Sequence, residues 1–177
     1  MSDDRIYIAT RFEPTDEGVI EGYAAIFGER NGHGEIVQKG AFKRTLADHK
    51  TRGVKPPLLL HHDRSKVGGV WTELKEDERG LFVRGQLALR TTDGATAYEL
   101  ARMQALTGFS IGFRERGSKM DRDGTLILTD IDLVEVSLVA LPSADNARIK
   151  NVRAENRGNA AFTTAAFAAA SFIRGTK

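Results

Sequence analysis

The chain has 177 residues, of which 41% are hydrophobic and 28% charged, and its formal net charge is only +2. This length suits one domain with a substantial core, and no apolar run reaches the roughly eighteen residues that a membrane-spanning helix requires. Basic residues are interspersed with acidic ones, so the concentrated basic face of a nucleic-acid-binding protein is missing. The absence of cysteine excludes disulfides, thiolate metal sites and a cysteine nucleophile.

The N-terminal segment MSDDRIYIAT lacks the basic stretch, apolar stretch and cleavage site of a secretory signal, so we expect the chain to stay in the cytoplasm. Residues 5–12 and 19–27 are short runs of β-branched and aromatic residues separated by the turn-rich PTDEG. This pattern predicts two strands joined as a hairpin. Within residues 40–50, the helical spacing of Phe42 and Leu46 predicts a short helix.

Two prolines precede the next apolar run, VKPPLLLHHD. Because Pro56 and Pro57 have no amide hydrogen to donate to a sheet, we expect the strand to begin at Leu58. The following runs, VGGVWTEL and GLFVRGQLAL, are separated by the charged segment KEDER. They predict a second hairpin.

Residues 94–107 are rich in helix-forming residues, and Tyr98, Met103 and Leu106 are spaced to line one helix face. Gly108 ends this predicted helix, and the apolar segments after it indicate three or more strands. Many short strands with one or two inserted helices predict a mainly β fold. We expect a β-barrel of mostly antiparallel strands with a few peripheral helices.

The C-terminal segment 154–177 is alanine-rich and of low complexity. Its Phe162, Phe167 and Phe172 recur every five residues, a period that fits neither one helix face nor a strand. The sequence therefore predicts a folded domain over residues 1–153, followed by a tail that is a marginal helix or disordered.

The segment GFSIG at residues 108–112 matches G-x-S-x-G, the nucleophile elbow of α/β-hydrolases. That fold places its catalytic histidine after the serine, whereas all four histidines of this chain precede Ser110. The chain is therefore not an α/β-hydrolase. A serine still needs an imidazole to accept its proton. His61 and His62 are the candidates, and only one of them can face Ser110 if they lie at the end of a strand.

A third polar group is needed to orient the imidazole. Glu135 interrupts the apolar strand LVEVSLV, where a buried carboxylate without a partner would be costly. Asp63, Asp130 and Asp132 are alternatives for this role. An ion pair with Arg114 is a purely structural explanation for Glu135.

Ser137 lies two residues after Glu135 on the same strand face, so it is either a second candidate nucleophile or a hydroxyl satisfied by the backbone. The cluster His61, His62 and Asp63 resembles a metal-ligand set. Adjacent strand side chains diverge, however, so at most two members could share one ion. We expect no metal and no cofactor.

Several segments in a fixed order resemble those of the prohead proteases of tailed double-stranded-DNA phages. The resemblance runs from about Gly22 to Arg153, and the segments are GYAAIFG, GAFKRTL, LLLHHD, VGGVW, GLFVRGQL, LTGFSIGF and VEVSLVALPSADNARI. These proteases are in turn similar to the herpesvirus assemblin fold, a β-barrel with peripheral helices that acts as a serine protease. The resemblance implies a serine endopeptidase whose protease domain is the 1–153 unit.

The resemblance also implies the catalytic residues. The serine of the S-I-G-F segment, Ser110, would be the nucleophile, and His62, the histidine directly before the acidic residue, would be the base. The second histidine of the herpesvirus enzymes falls at Glu135. We expect His62 and Ser110 to lie on neighbouring strands with their polar atoms close to hydrogen-bond distance.

The herpesvirus enzymes place an arginine pair soon after their third catalytic residue to stabilise the oxyanion. This chain departs from them, because it has Leu141 and Pro142 there and only isolated arginines at Arg148 and Arg153. Backbone amides beside Ser110 or in the loop 140–148 are the remaining candidate donors.

The function implied is procapsid maturation. The enzyme would cleave scaffold segments and major capsid protein inside the assembling procapsid in the host cytoplasm, and finally cleave itself. By analogy with the herpesvirus enzymes we expect a homodimer, and we expect no specific nucleic acid and no membrane as partners. The alternative is a non-catalytic capsid-interior or scaffolding module with the same fold.

Overall fold

The computed structural model of the protein describes residues 5–10 and 18–140. The predicted tail over 154–177 with its phenylalanines lies outside the described residues, as do Pro142, Arg148 and Arg153. The boundary expected near residue 153 therefore stays a prediction. Neither described helix is long and apolar enough to cross a membrane.

The described part of the chain is mostly β, with two helices. Its strands form one sheet in the order β1-β7-β8-β4-β5-β6-β2, with β3 pairing with β8, and the sheet is curled into a half-barrel. This confirms the mainly β prediction. The elements are β1 Arg5–Thr10, β2 Val19–Ile26, β3 Ile36–Val37, α1 Lys43–Arg52, β4 Leu58–Leu60, β5 Asp63–Glu76, β6 Gly80–Leu87, α2 Thr92–Arg102, β7 Gly108–Met120 and β8 Leu126–Val139.

Two long hairpins form most of the sheet. The predicted hairpin of β5 with β6 is confirmed, and β4 begins at Leu58 as expected. Between residues 108 and 140, where the described part of the chain ends, two long antiparallel strands form, β7 and β8, rather than three or more. Both hairpins leave an outer edge on which a further strand can pair.

The predicted hairpin of residues 5–12 with 19–27 is wrong. Both segments are strands, but β1 pairs with β7 and β2 pairs with β6, at opposite ends of the strand order. An alternating pattern indicates a strand and its buried face but not its partner. Here the free edges of the two long hairpins take up β1 and β2.

Both helices are shifted from their predicted bounds. Helix α1 ends where Gly53 adopts a left-handed conformation, with φ of 65°. Helix α2 ends at Arg102 because the chain turns through Gln104, whose φ is 59°. Consequently Met103 is 75% exposed instead of sharing a buried face, whereas Leu106 lies in the core.

Helix α1 is held against β8, the strand that carries Glu135, by a hydrogen bond and by ion pairs. The hydroxyl of Thr45, which is fully buried, accepts a hydrogen bond of 3.1 Å from the backbone amide of Leu133. Arg116 contributes by bridging Asp48 of the helix at 3.1 Å and Asp132 of β8 at 2.8 Å. These contacts hold α1 against β8.

Candidate active site

His61 and His62 do not lie on a strand, in contrast to the sequence-based expectation. Leu60 pairs with Asp63, so the two histidines are the central residues of a two-residue hairpin turn between β4 and β5. Their φ values are 52° and 61°, and positive φ at both central positions is the requirement of a type I′ turn, which asparagine and glycine usually fill. Two histidines in this conformation cost about 1–3 kcal/mol each, and such backbone strain is found preferentially at functional sites.

The turn gives the two histidines different environments. The amide of His61 donates to Leu138 O at 2.9 Å, and its side chain is exposed. The side chain of His62 is only 18% exposed and lies against β8. The choice of His62 over His61 therefore follows from the turn, not from the alternation of a strand.

His62 and Glu135 form a short, partly buried pair. His62 Nδ1 is 2.6 Å from Glu135 Oε1, and the glutamate side chain is 9% exposed. A carboxylate only accepts hydrogen bonds, so Nδ1 donates to it, and in the neutral imidazole this arrangement makes Nε2 the acceptor nitrogen. Nε2 is itself buried and has no hydrogen-bond partner among the described residues. An imidazole so placed can accept a proton at Nε2 while the carboxylate holds the other nitrogen.

The second oxygen of Glu135 is also occupied. Ser137 Oγ donates to Glu135 Oε2 at 2.5 Å, and the same Oγ accepts a hydrogen bond of 3.1 Å from the amide of His62. Arg114, the alternative partner considered for Glu135, forms its ion pair with Asp132 at 3.8 Å. Sequence reasoning did not identify this role of Ser137, although its place two residues from Glu135 was a usable signal.

Gly112 provides the space that the Glu135 carboxylate fills. A Cβ atom added at Gly112 would lie 2.3 Å from Glu135 Oε1 and 2.9 Å from its Cγ. Real Cβ atoms essentially never approach other atoms this closely. The second glycine of the GFSIG segment is therefore explained by room for a carboxylate on the adjacent strand, not by a nucleophile elbow.

Ser110 lies on β7 directly opposite Ser137 of β8. Directly opposed residues of an antiparallel pair share a face, and Ser110 is two residues from Gly112, whose missing side chain would point at Glu135. Ser110 is thus on the face that carries Glu135 and Ser137, and it is fully buried. The expectation that His62 and Ser110 occupy neighbouring strands is wrong, because His62 lies in the turn after β4 and β8 lies between β4 and β7. The expected proximity of their polar atoms does not amount to a hydrogen bond, since His62 Nε2 has no hydrogen-bond partner among the described residues.

The other carboxylates considered for the third role have different partners. Asp63 accepts hydrogen bonds from the hydroxyl and amide of Ser65, which lower its pKa below the usual 3.8. Asp130 and Asp132 form ion pairs with arginines. Within residues 5–10 and 18–140, no group of three or more ligating side chains could hold a metal ion.

Residues 7–161 match the family model described as caudovirus prohead serine protease. The prohead protease of Enterobacteria phage HK97 is 34% identical over 140 residues, which are 75% of this chain and 59% of that protein. The prohead protease of Escherichia phage T5 is 26% identical over 154 residues, covering 85% of this chain and 71% of that protein. This chain thus spans less than two thirds of the HK97 protein.

Two further similarities concern capsid proteins and the fold. The major capsid protein of Lactococcus phage c2 is 28% identical over 140 residues, which are 78% of this chain but only 25% of that protein. The solved structure of the bacteriophage T4 capsid assembly protease matches with a TM-score of 0.62 at 13% identity, covering 79% of this chain and 99% of that chain. At this identity the similarity shows the fold alone. Because the family model covers most of the sequence, the chain belongs to the caudovirus prohead serine protease family.

Proposed function

We propose that this chain is a serine endopeptidase of phage procapsid maturation, with Ser110 as nucleophile, His62 as base and Glu135 as the acid that orients the base. The observation that carries the proposal is the His62 to Glu135 pair of 2.6 Å, which leaves Nε2 buried and without a partner among the described residues. The family membership supports the same assignment. The proposal includes that the half-barrel is related to the herpesvirus assemblin fold.

The mechanism is acyl transfer. Ser110 Oγ attacks the scissile carbonyl carbon and its proton passes to His62 Nε2. The C–N bond then breaks, His62 returns the proton to the leaving amine, and a water molecule hydrolyses the acyl-enzyme with His62 again acting as base. Glu135 stays ionised throughout and stabilises the imidazolium.

Two parts of this mechanism depend on the surroundings of Ser110. The oxyanion would be stabilised by backbone amides beside Ser110 or in the loop 140–148, most of which lies outside the described residues. Because Ser110 is fully buried, the residues over it must move before a polypeptide can reach its hydroxyl. Access to the nucleophile is therefore a separate step from the chemistry.

The proposed substrates are scaffold segments and major capsid protein inside the assembling procapsid in the host cytoplasm, followed by the enzyme itself. Support comes from the relatives, two of which are prohead proteases, while the T4 neighbour is a capsid assembly protease. The proposal includes a homodimer, by analogy with the herpesvirus enzymes, and no specific nucleic acid.

The proposal also assigns residues 1–153 to the protease domain and residues 154–177 to a segment for incorporation into the procapsid or for loss by self-cleavage. The alanines of this segment bury little surface each, so three phenylalanines supply most of its apolar area. That area cannot offset the conformational entropy of ordering the segment unless a partner covers it. Proteolysis concentrates in segments that stay exposed and poorly ordered, which is the reason for proposing loss by self-cleavage.

The nucleophile can be tested without knowing the cleavage site. An alkyl fluorophosphonate reacts with an activated serine, forming an O–P bond and releasing fluoride, and peptide mass spectrometry locates the adduct. We expect the adduct at Ser110, its loss in Ser110→Ala and in His62→Ala, and no change in the matched control Ser118→Ala, an exposed serine of the same strand. Self-shortening of the purified chain, followed by intact mass, should show the same dependence. A folded wild type that neither takes the label at Ser110 nor shortens would overturn the proposal.

A second candidate function is a non-catalytic capsid-interior or scaffolding module. The match to one quarter of the c2 major capsid protein favours it, because a related domain is there part of a capsid protein chain. This alternative predicts that the wild type remains unlabelled and full length under assembly conditions while it is incorporated into capsid shells. Labelling at Ser110 that depends on His62 would exclude it.

A further inference from the structure

The hydroxyl of Ser137 connects two parts of the candidate site that are distant in sequence. It accepts from the backbone amide of His62 at 3.1 Å and donates to Glu135 Oε2 at 2.5 Å. Ser137 is fully buried, so water does not replace either bond. Both bonded groups belong to residues on which the proposed mechanism depends.

The hydrogen bond from the His62 amide to Ser137 Oγ holds the turn that contains His62. His62 has a φ of 61°, a conformation that a residue with a Cβ adopts only when the surrounding structure holds it. The bond ties this backbone to β8, the strand that carries the carboxylate. Because the ring is attached to this backbone, a shift of the turn would move Nδ1 away from Glu135.

The hydrogen bond from Ser137 Oγ to Glu135 Oε2 fixes the orientation of the carboxylate. Glu135 has three side-chain torsions, and a single contact to His62 would leave its terminal group free to rotate. Contacts at both oxygens, to His62 and to Ser137, set the plane of the group. Without the hydroxyl, Oε2 would be a largely buried charged oxygen that lacks this donor, and the carboxylate would turn to find another.

We propose that Ser137 is a positioning residue for the Ser110, His62 and Glu135 set, acting through both His62 and Glu135 and not as a nucleophile. Its proton is committed to the carboxylate, so it is not the hydroxyl from which His62 takes a proton. This inference rests on the proposed function. It adds a fourth side chain whose role is to hold the base and the acid in one geometry.

The first measurement is the fluorophosphonate reaction at Ser110, separated into the maximal inactivation rate and the half-saturating probe concentration. We expect Ser137→Ala to lower the maximal rate about 100-fold, the effect of roughly 1 Å of misplacement, with the half-saturating concentration little changed. Thr45→Val is the matched control, since it also removes a fully buried hydroxyl that accepts a hydrogen bond from a backbone amide of β8. We expect it to lower the melting temperature while the maximal rate stays at the wild-type value.

The second measurement needs no activity. In a Ser110→Ala background, which prevents self-cleavage, the low-field proton resonance of the His62 Nδ1–H reports the bond to Glu135. We expect this resonance in the parent and in Thr45→Val, and its loss or large upfield shift with Ser137→Ala. If Ser137→Ala does not fold, Ser137→Thr and Ser137→Val, which differ only by the hydroxyl, give the same comparison.

The two measurements separate the two proposals. A wild-type maximal rate and an unchanged resonance in Ser137→Ala would overturn the positioning role and leave the serine protease proposal standing. A folded wild type that is neither labelled at Ser110 nor shortened would overturn the proposed function. In that case the resonance alone still decides whether Ser137 holds the pair.

Discussion

Replacing Gly112 by alanine tests whether Glu135 must occupy its present position. The new methyl carbon would lie 2.3 Å from Oε1, whereas ordinary contact begins at 3.4 Å. The carboxylate must therefore withdraw by roughly 1 Å, since the methyl group is fixed to the backbone of β7. The 2.6 Å bond to His62 would then open beyond normal hydrogen-bond length.

The expected loss of activity lies between two limits. A misplacement of 1 Å costs about 10²-fold, and removal of the orienting carboxylate function from a serine protease triad costs about 10⁴-fold. We therefore expect Gly112→Ala to lower the fluorophosphonate reaction rate at Ser110 by about 10² to 10⁴-fold. Overpacking should also cost about 1–3 kcal/mol of unfolding free energy, measured by denaturant titration.

The same strand supplies a control. A Cβ atom at Gly117 would lie 3.2 Å from Thr129 Oγ1, the end of a side chain, with its next neighbour at 3.5 Å. Gly117→Ala should therefore react with the probe at the wild-type rate. A folded Gly112→Ala protein that reacts within about threefold of wild type would show that the carboxylate is not needed where it lies, and would refute this reasoning.

Three further predictions concern the acid, a partly buried histidine and the tail. Glu135→Gln should keep the fold but lower the reaction rate at Ser110 by about 10⁴-fold, because an amide does not stabilise the imidazolium; near-wild-type labelling would remove Glu135 from the mechanism. Burial lowers the pKa of His49 below its usual 6.5, so the unfolded chain takes up a proton more readily than the folded protein as the pH falls. The melting temperature should therefore drop on acidification through pH 6.5, and His49→Gln should reduce that drop; an equal drop in both proteins would contradict the assignment. A chain ending at Arg153 should keep the melting temperature and the labelling of the full chain, and loss of either would place the tail phenylalanines in the core.

Local signals predicted the elements better than their arrangement. The hairpin of β5 with β6 was predictable because the charged segment KEDER separates two apolar runs. The partners of β1 and β2 were not predictable, because the alternation of a short strand is compatible with any free sheet edge. The early end of α2 depends on the left-handed residue Gln104, which is not one of the residues that usually end helices.

In the candidate site, the sequence likewise predicted the chemistry of the residues better than their geometry. A carboxylate in an apolar strand requires a partner, and that argument together with the family resemblance pointed to Glu135 and His62, which the structure brings together. The type I′ turn of His61 and His62 was not predictable, since its usual sequence is Asn-Gly or Asp-Gly. The space that Gly112 leaves for Glu135 was not predictable either, because a glycine in a strand gives no indication of which neighbouring side chain requires the space.

The position of His62 also has a consequence for folding. His62 and Glu135 are separated by 73 residues, and the turn reaches β8 only because the three-residue strand β4 pairs parallel to it. Pairings of high contact order form late, since the entropy of closing the intervening loop must be overcome first. On the proposed assignment of His62 as base for Ser110, a nascent or partly folded chain would carry the serine without an oriented base, and it would be inert toward neighbouring polypeptides until the sheet is complete. Rapid-mixing refolding should show the ability to react with fluorophosphonate appearing with the slowest folding phase; reactivity that precedes it would contradict this order.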